Sequence, residues 1–140
     1  MLIHASCVSF HEQGILILGP SGAGKSDLAL RLIHAGASLV GDDQIILTQQ
    51  NDNLWASAPT TLAGLIEIRY QGIFCLPYRL SAKLALTIQL IDEAPPRERL
   101  AESTPWEIMG IRIRQLYLTK TDRAALEIIT TYLSYPSINL

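Results

Sequence analysis

The sequence predicts one α/β domain with few helices and more strand than a doubly wound sheet carries. Three observations lead there. The apolar run Ile15-Leu16-Ile17-Leu18 has the character of a strand buried on both faces, and it leads through a glycine-rich stretch into a helical pattern. The chain from Gln44 to Leu118 then reads mostly as short strands punctuated by turns. Beyond it only one more helical pattern is found, Thr121 to Leu133, with Leu126, Ile129 and Leu133 on one side.

The elements follow in order. Leu2 to Phe10 alternates loosely and reads as one strand, and His11 to Gly14 supplies turn chemistry before Ile15. If residues 8–10 and 15–17 pair as a hairpin, His4 falls opposite Ser21. Gly19 to Ser26 is a loop. Asp27 to Ala35 places Leu28, Ala29, Leu32 and Ile33 on one helical face, and Gly36 sits where a helix C-cap is expected. Ala37 to Val40 is a short strand ending at Gly41-Asp42-Asp43. Gln44 to Thr48 and Leu54 to Ser57 flank a turn at 51–53, and Leu65 to Tyr70, Leu84 to Ile91 and Ile111 to Leu118 are further strands. The tail from Ser134 is read as irregular.

Composition narrows the classes. At 140 residues, the chain is one domain's worth and long enough to bury a core without disulfides or a structural metal. A hydrophobic fraction of 49% with 17% charged residues excludes disorder and low-complexity fibres. A net charge of −2 is far from the basic footprint of a nucleic-acid binder, so an anionic ligand must be held by a local site. No apolar run is long enough for a membrane span, and the N-terminus lacks the regions of a secretory signal. Cys7 and Cys75 have neither CxxC nor metal-ligand spacing, so both are expected to be buried small hydrophobes in a reduced, cytoplasmic setting.

Gly19-Pro20-Ser21-Gly22-Ala23-Gly24-Lys25-Ser26 fits G-x-x-x-x-G-K-[ST] at every fixed position. Glycines let such a loop turn its N–H groups around phosphate oxygens, and the following helix aims its positive end at the same place. Lys25 can reach the β- and γ-phosphates, and the Ser26 hydroxyl can join a Mg²⁺ shell. The motif establishes phosphate binding, most simply of a nucleotide, and does not name a reaction.

A right-handed crossover lays the strand ending at Val40 parallel to and beside the strand ending at Leu18, which brings Asp42 and Asp43 next to the loop. In phosphoryl transfer one carboxylate can hold Mg²⁺ while another orients or deprotonates the attacking hydroxyl. A solvated turn is the plainer alternative. His4, on the same side, can orient an Asp or contact phosphate, although a lone histidine is more often structural; His11 and His34 are read as surface residues. Period-2 alternation puts Glu67 and Arg69 on one strand face and Ile66 and Ile68 on the other. That is either an ordinary polar exterior or one metal ligand and one cation aimed at a site. Arg97, Arg99, Arg112 and Arg114 are further cations, of which phosphoryl transfer needs at least one.

These pieces, in this order, resemble the catalytic domain of bacterial HPr kinase/phosphorylase, which acts on a serine of the phosphocarrier protein HPr. The resemblance rests on His4, fifteen residues before Gly19, then GPSGAGKS with its DLALRLI helix, and Gly41-Asp42-Asp43 at the family's Ala-Asp-Asp position. Ala58-Pro59 precedes LIEIRYQGI (65–73), which looks like the family's LEIRGLGI signature, and Arg99-Leu100 looks like its downstream Arg-Leu. It implies a P-loop-containing, phosphoenolpyruvate-carboxykinase-like mixed sheet, and an ATP- and Mg²⁺-dependent serine kinase of HPr that regulates the phosphotransferase system. By the same resemblance Lys25 binds phosphate, Ser26 and Glu67 hold Mg²⁺, and Asp43 is the base that takes the serine proton and returns it in the reverse reaction. Asp42 and His4 support it, Arg69 and Gly72 lie in a segment used in both directions, and Arg99 matches the catalytic arginine.

The family's N-terminal domain is expected to be absent here, as in short versions of some proteobacteria, leaving residues 1–140 as a single catalytic domain. The late loop that the family uses for dephosphorylation appears only as Thr119-Lys120-Thr121-Asp122-Arg123. The family is hexameric, which implies a homo-oligomer. Thr119-Lys120-Thr121-Asp122 also mimics the guanine-reading [NT]-K-x-D motif, so a GTPase switch is a rival reading, although no Asp lies three residues before a glycine as D-x-x-G requires. Two more rivals are a small-metabolite kinase, against which stands the lack of an Arg-rich lid, and a nucleotide-binding regulator without catalysis.

Overall fold

The computed structural model describes residues 1–93 and 105–136. The strands are β1 (Leu2–His4), β2 (Ser6–Phe10), β3 (Gln13–Leu18), β4 (Ser38–Gly41), β5 (Gln44–Gln50), β6 (Asn53–Ser57), β7 (Leu65–Ile68), β8 (Gly72–Cys75), β9 (Ala82–Ile91), β10 (Trp106–Ile108) and β11 (Ile111–Thr119). Two helices, α1 (Lys25–His34) and α2 (Ala125–Ser134), complete the frame with a short 3₁₀ turn at Thr60–Leu62. The mixed, strand-rich α/β architecture with few helices is the expected one. No helix among the described residues is long and apolar enough to cross a membrane.

The sheet runs β1-β5-β6-β9-β3-β2-β4, with β11 beside β9 and β10 beside β11; β7 and β8 form a separate hairpin. The apolar run of β3 is buried on both faces. Ile15 and Ile17 join α1 and α2 in one cluster with Val8, Leu86 and Ile88, while Leu16 enters a second with Val40, Ile45, Leu47 and Leu54. β3 pairs in parallel with β9, and β9 with β11, which makes the centre of the sheet parallel and its flanks antiparallel. Helix α1 ends in a Schellman closure: Ala37 N–H bonds Leu32 C=O at 3.0 Å and Gly36 N–H bonds Ile33 C=O at 3.0 Å.

Five expectations are corrected. Leu2 to Phe10 is two strands broken at Ala5, whose N–H bonds the Asp43 carbonyl at 3.1 Å instead of continuing the ladder; β1 pairs with β5 and β2 with β3. The β2–β3 hairpin turns on two residues, not four: Phe10 faces Gln13, and His11 and Glu12 take φ of 51° and 66°. His4 therefore lies beside Gln44, not opposite Ser21. β4 is parallel to β3 but not adjacent, because β2 lies between them, antiparallel to both. Cys75 is exposed, whereas Cys7 is buried and burial pushes its thiol pKa far above the ordinary value. β8 and β10 are additional short strands.

Gly14 shows why the β3–β9 junction needs a residue with no side chain. A Cβ there would sit 2.7 Å from the Lys83 carbonyl oxygen and 3.2 Å from the Ala82 Cβ. The obstacle is backbone of the central strand, so it cannot swing away. Gly14→Ala is expected to cost about 1–3 kcal/mol, the scale of overpacking, read as a lower thermal midpoint.

Candidate active site

The loop 19–24 joins the C-terminal end of β3 to α1. Gly24 takes φ 99° as the N-cap of α1, a conformation that L side chains rarely adopt, and its carbonyl receives Leu28 N–H at 3.0 Å. Ala23 N–H closes back on the Pro20 carbonyl at 3.0 Å. Lys25 is only 7% exposed; its ammonium donates to the Gly19 carbonyl at 2.8 Å and the Pro20 carbonyl at 3.0 Å. Burial lowers its pKa from the ordinary lysine value, while the charges of Asp42 and Asp43 act the other way. An ammonium carries three protons, and two are spent on these carbonyls. The third has no protein partner among the described residues, as expected of a group built to meet an anion.

Asp42 and Asp43 follow β4 at the same end of the sheet, although the strand between them and the loop was not foreseen. Asp42 is buried and collects donors: Ser6 Oγ at 2.6 Å and Ser26 Oγ at 2.9 Å onto Oδ1, with Glu67 N–H at 3.4 Å onto Oδ2. Asp43 is the exposed member of the pair. Its side chain is 65% exposed and its Oδ1 lies 2.7 Å from His4 Nε2. Gln44 N–H bonds the Asp42 carbonyl at 2.8 Å around Asp43, whose φ is 71°. An i→i+2 closure on a central residue of positive φ is the strained form of γ-turn, and strain of this kind clusters at functional positions.

His4 and Ser6 flank the break at Ala5, so one short segment reaches both acids: His4 meets Asp43 and Ser6 meets Asp42. Ser6 was missed by sequence reasoning, because a serine within a strand carries no signal of its own. Two clefts flank this pair. One, about 300 Å³, is lined by Gly22, Gly24, Lys25, Ser26, Glu67 and Arg69, with Lys120 at its edge. The other, about 180 Å³, is lined by Asp42, Asp43, Leu62, Leu65, Glu67 and Ile73. Glu67 stands in both.

Arg69 thus shares the loop's cleft, its guanidinium 5.3 Å from the Tyr70 ring. Gly72 opens β8 with φ 121°. Lys120, which belongs to the Thr119–Arg123 segment matched to the family's late loop, adds a cation to the cleft that the sequence did not assign to it. Arg99 lies outside the described residues, as does Arg97. Arg112 and Arg114 are spent elsewhere: Arg112 pairs with Glu107, and Arg114 lies over the Tyr132 ring and bonds its carbonyl. The oxygen donors Ser26, Asp42 and Glu67 suit a hard cation such as Mg²⁺, which takes one or two carboxylates and completes its shell with water and phosphate. No cluster of three His, Cys, Asp or Glu side chains is assembled among the described residues.

The family model for the HPr Serine kinase C-terminal domain matches residues 1–133. The chain belongs to this family. Among curated relatives, the HPr kinase/phosphorylase of Bacillus licheniformis is 32% identical over 86% of this chain, and that of Mycoplasma mycoides subsp. mycoides is 30% identical over 97%. The chain spans 39% and 48% of those two proteins' lengths. A solved structure titled the Hpr(Ser) kinase/phosphatase from Coxiella burnetii superposes with a TM-score of 0.80 at 27% identity, over 95% of this chain and 93% of that one. An HPr kinase C-terminal domain with this mixed α/β sheet is therefore the framework for the site.

Proposed function

We propose that this chain is the catalytic domain of an ATP- and Mg²⁺-dependent kinase that phosphorylates a serine of HPr, with residues 1–140 acting as one catalytic unit. The observation that carries the reading is the meeting of two clefts at Glu67: Lys25 and Ser26 line one, and Asp43, exposed and held by His4, lines the other. A phosphate donor in the first and an alcohol in the second would meet across that carboxylate. The antiparallel strand β2, set between β3 and β4, supports a phosphoenolpyruvate-carboxykinase-like sheet over a doubly wound one.

Asp43 accepts the proton of the incoming serine hydroxyl as its oxygen bonds the γ-phosphorus, and the bond from that phosphorus to the β–γ bridging oxygen breaks, leaving ADP. His4 fixes the Asp43 carboxylate. Lys25 and Arg69 bring positive charge to the equatorial phosphate oxygens, the role that the resemblance also gives Arg99. Ser26 and Glu67 would hold Mg²⁺, whose chemistry when bound is to neutralise the phosphate oxygens; Asp42 orients the Ser26 hydroxyl. In phosphorolysis an oxygen of inorganic phosphate bonds the phosphorus of the phosphoserine, the bond from that phosphorus to the serine oxygen breaks, and pyrophosphate leaves. Asp43 returns a proton to the serine oxygen, and Gly72 belongs to the segment serving both directions. Partners follow from the reading: HPr, no nucleic acid at a net charge of −2, and a cytoplasmic setting supported by two free cysteines. A homo-oligomer is part of the proposal on the strength of the family resemblance.

Incubation with HPr, Mg²⁺ and γ-labelled ATP, followed by mapping of the modified residue, tests the reading. Label on a serine is expected; label on a histidine, or none, would overturn it. Lys25→Ala removes a charged hydrogen bond of about 1.5–3 kcal/mol. It is expected to weaken ATP binding about 10- to 100-fold by calorimetry.

A further inference from the structure

The β7–β8 hairpin turns at Arg69-Tyr70-Gln71, where Gln71 N–H bonds the Ile68 carbonyl at 2.9 Å and Ile68 faces Gly72. Tyr70 takes φ 65° at the third residue of this turn, the position that type II turns usually give to glycine. In the LEIRGLGI signature that residues 66–73 resemble, glycine stands at that position. A residue with a Cβ is strained there, and a bulky one is a clear outlier. Within the chain the ring gains little in exchange. It is 90% exposed, the most exposed large apolar side chain among the described residues, and it meets the Arg69 guanidinium at 5.3 Å. An exposed cation–π contact of that kind returns less than the left-handed backbone costs.

We propose that Tyr70 is a docking anchor for the phosphoacceptor protein, its ring buried against an apolar side chain beside the target serine when that serine enters the cleft of Asp43. The proposal rests on the kinase reading above. The hairpin joins the two places such a partner must reach. Glu67 and Ile73, paired across it, line the cleft of Asp43, and Arg69, next to Tyr70, lines the cleft of Lys25. Leu62 and Leu65 also line the cleft of Asp43, and Ile73 there is 70% exposed, so an apolar residue beside the serine finds apolar surface. Rigid aromatic side chains are what protein interfaces bury at their centres. Burial of the ring on a partner supplies the free energy that the chain by itself does not, and strain held at the edge of the site becomes part of the docking device.

Initial rates of the full chain with HPr varied at saturating Mg²⁺-ATP test the assignment on Tyr70→Gly and Tyr70→Phe, alongside ATP calorimetry and thermal melts. Tyr70→Gly removes the ring and relieves the backbone, so its thermal midpoint is expected to equal or exceed that of the wild type. Its KM for HPr is expected to rise at least about tenfold, with kcat within about twofold and ATP affinity unchanged. Tyr70→Phe, which keeps the ring, is expected to keep the wild-type KM. An unchanged KM in Tyr70→Gly would overturn the proposal, and so would a midpoint below that of the wild type. A fall in kcat with KM intact would overturn it in favour of a ring that only positions Arg69. Loss of an oligomer in light scattering would overturn it in favour of a contact between copies of this chain. A wild-type chain that bound ATP but left HPr unlabelled would bring down the kinase reading itself, and this docking role with it.

Discussion

Asp43→Asn is expected to leave ATP bound with wild-type affinity while phosphoryl transfer to HPr falls by about 10²- to 10⁴-fold, the range for loss of a general base. The substitution keeps the size and the left-handed tolerance of the side chain, which matters because Asp43 sits at φ 71°. It also keeps an oxygen for His4, whose Nε2 lies 2.7 Å from Oδ1. What it removes is the ability to take a proton. The phosphate loop is not touched, since Lys25 is held by the Gly19 and Pro20 carbonyls. Calorimetry with Mg²⁺-ATP and an initial-rate assay with HPr separate the two effects. A variant that transfers phosphate at the wild-type rate would remove Asp43 from the chemistry. A variant that loses ATP binding as well would place the carboxylate in the donor site instead of the acceptor site.

His4→Ala provides the control for positioning. In the proposed reading His4 acts through Asp43, which its Nε2 meets at 2.7 Å, so its loss is expected to lower turnover less than Asp43→Asn does.

The parts of the fold legible in the sequence are those whose causes are local. The β3–loop–α1 unit could be read because each fixed residue of the glycine-rich motif answers a constraint met within a few residues, and the helix stop at Gly36 is of the same kind. The β5–β6 hairpin was legible from Asn51-Asp52-Asn53, and its turn indeed falls between Gln50 and Asn53. What was not legible depends on distant partners. Nothing around Ala5 announces a break, because the break is caused by the Asp43 carbonyl capturing its N–H from 38 residues away. The β2–β3 turn hides for another reason: positive φ at two successive positions is usually signalled by Asn-Gly or Asp-Gly, and here His11 and Glu12 adopt it.

The site shows the same division. Asp42 and Asp43 could be placed near the loop by strand polarity alone, and that placement survives the intervening strand because β4 remains parallel to β3. The sequence geometry offered His4 an Asp or a phosphate from a hairpin register that does not hold; its contact with Asp43 comes instead from β1 pairing with β5, which seats His4 opposite Gln44, next to Asp43. Ser6 and Lys120 escaped notice since a serine in a strand and a lysine in a turn carry no signal until their neighbours are known.

Asp42→Ala is expected to remove both activity and stability, and a paired substitution separates its two roles. The carboxylate is buried and accepts hydroxyl protons from Ser6 at 2.6 Å and Ser26 at 2.9 Å. Ser6 is 1% exposed and has no other hydrogen-bond partner for its side chain among the described residues. Truncating Asp42 strands that hydroxyl, and an orphaned buried polar group costs about 1–3 kcal/mol beyond the bond itself. A thermal midpoint lower by about 10 °C is the expected consequence for a domain of this size. Ser6→Ala in the Asp42→Ala background takes the orphan away, so the double variant is expected to regain part of the lost midpoint. It is not expected to regain activity, because the Ser26 hydroxyl stays without the acceptor that orients it toward the phosphate cleft. If Ser6→Ala restored turnover along with stability, Asp42 would be a packing residue and Ser26 would need no orientation. If it restored neither, the hydroxyl–carboxylate bond would not be what holds β2 against the turn at Asp43.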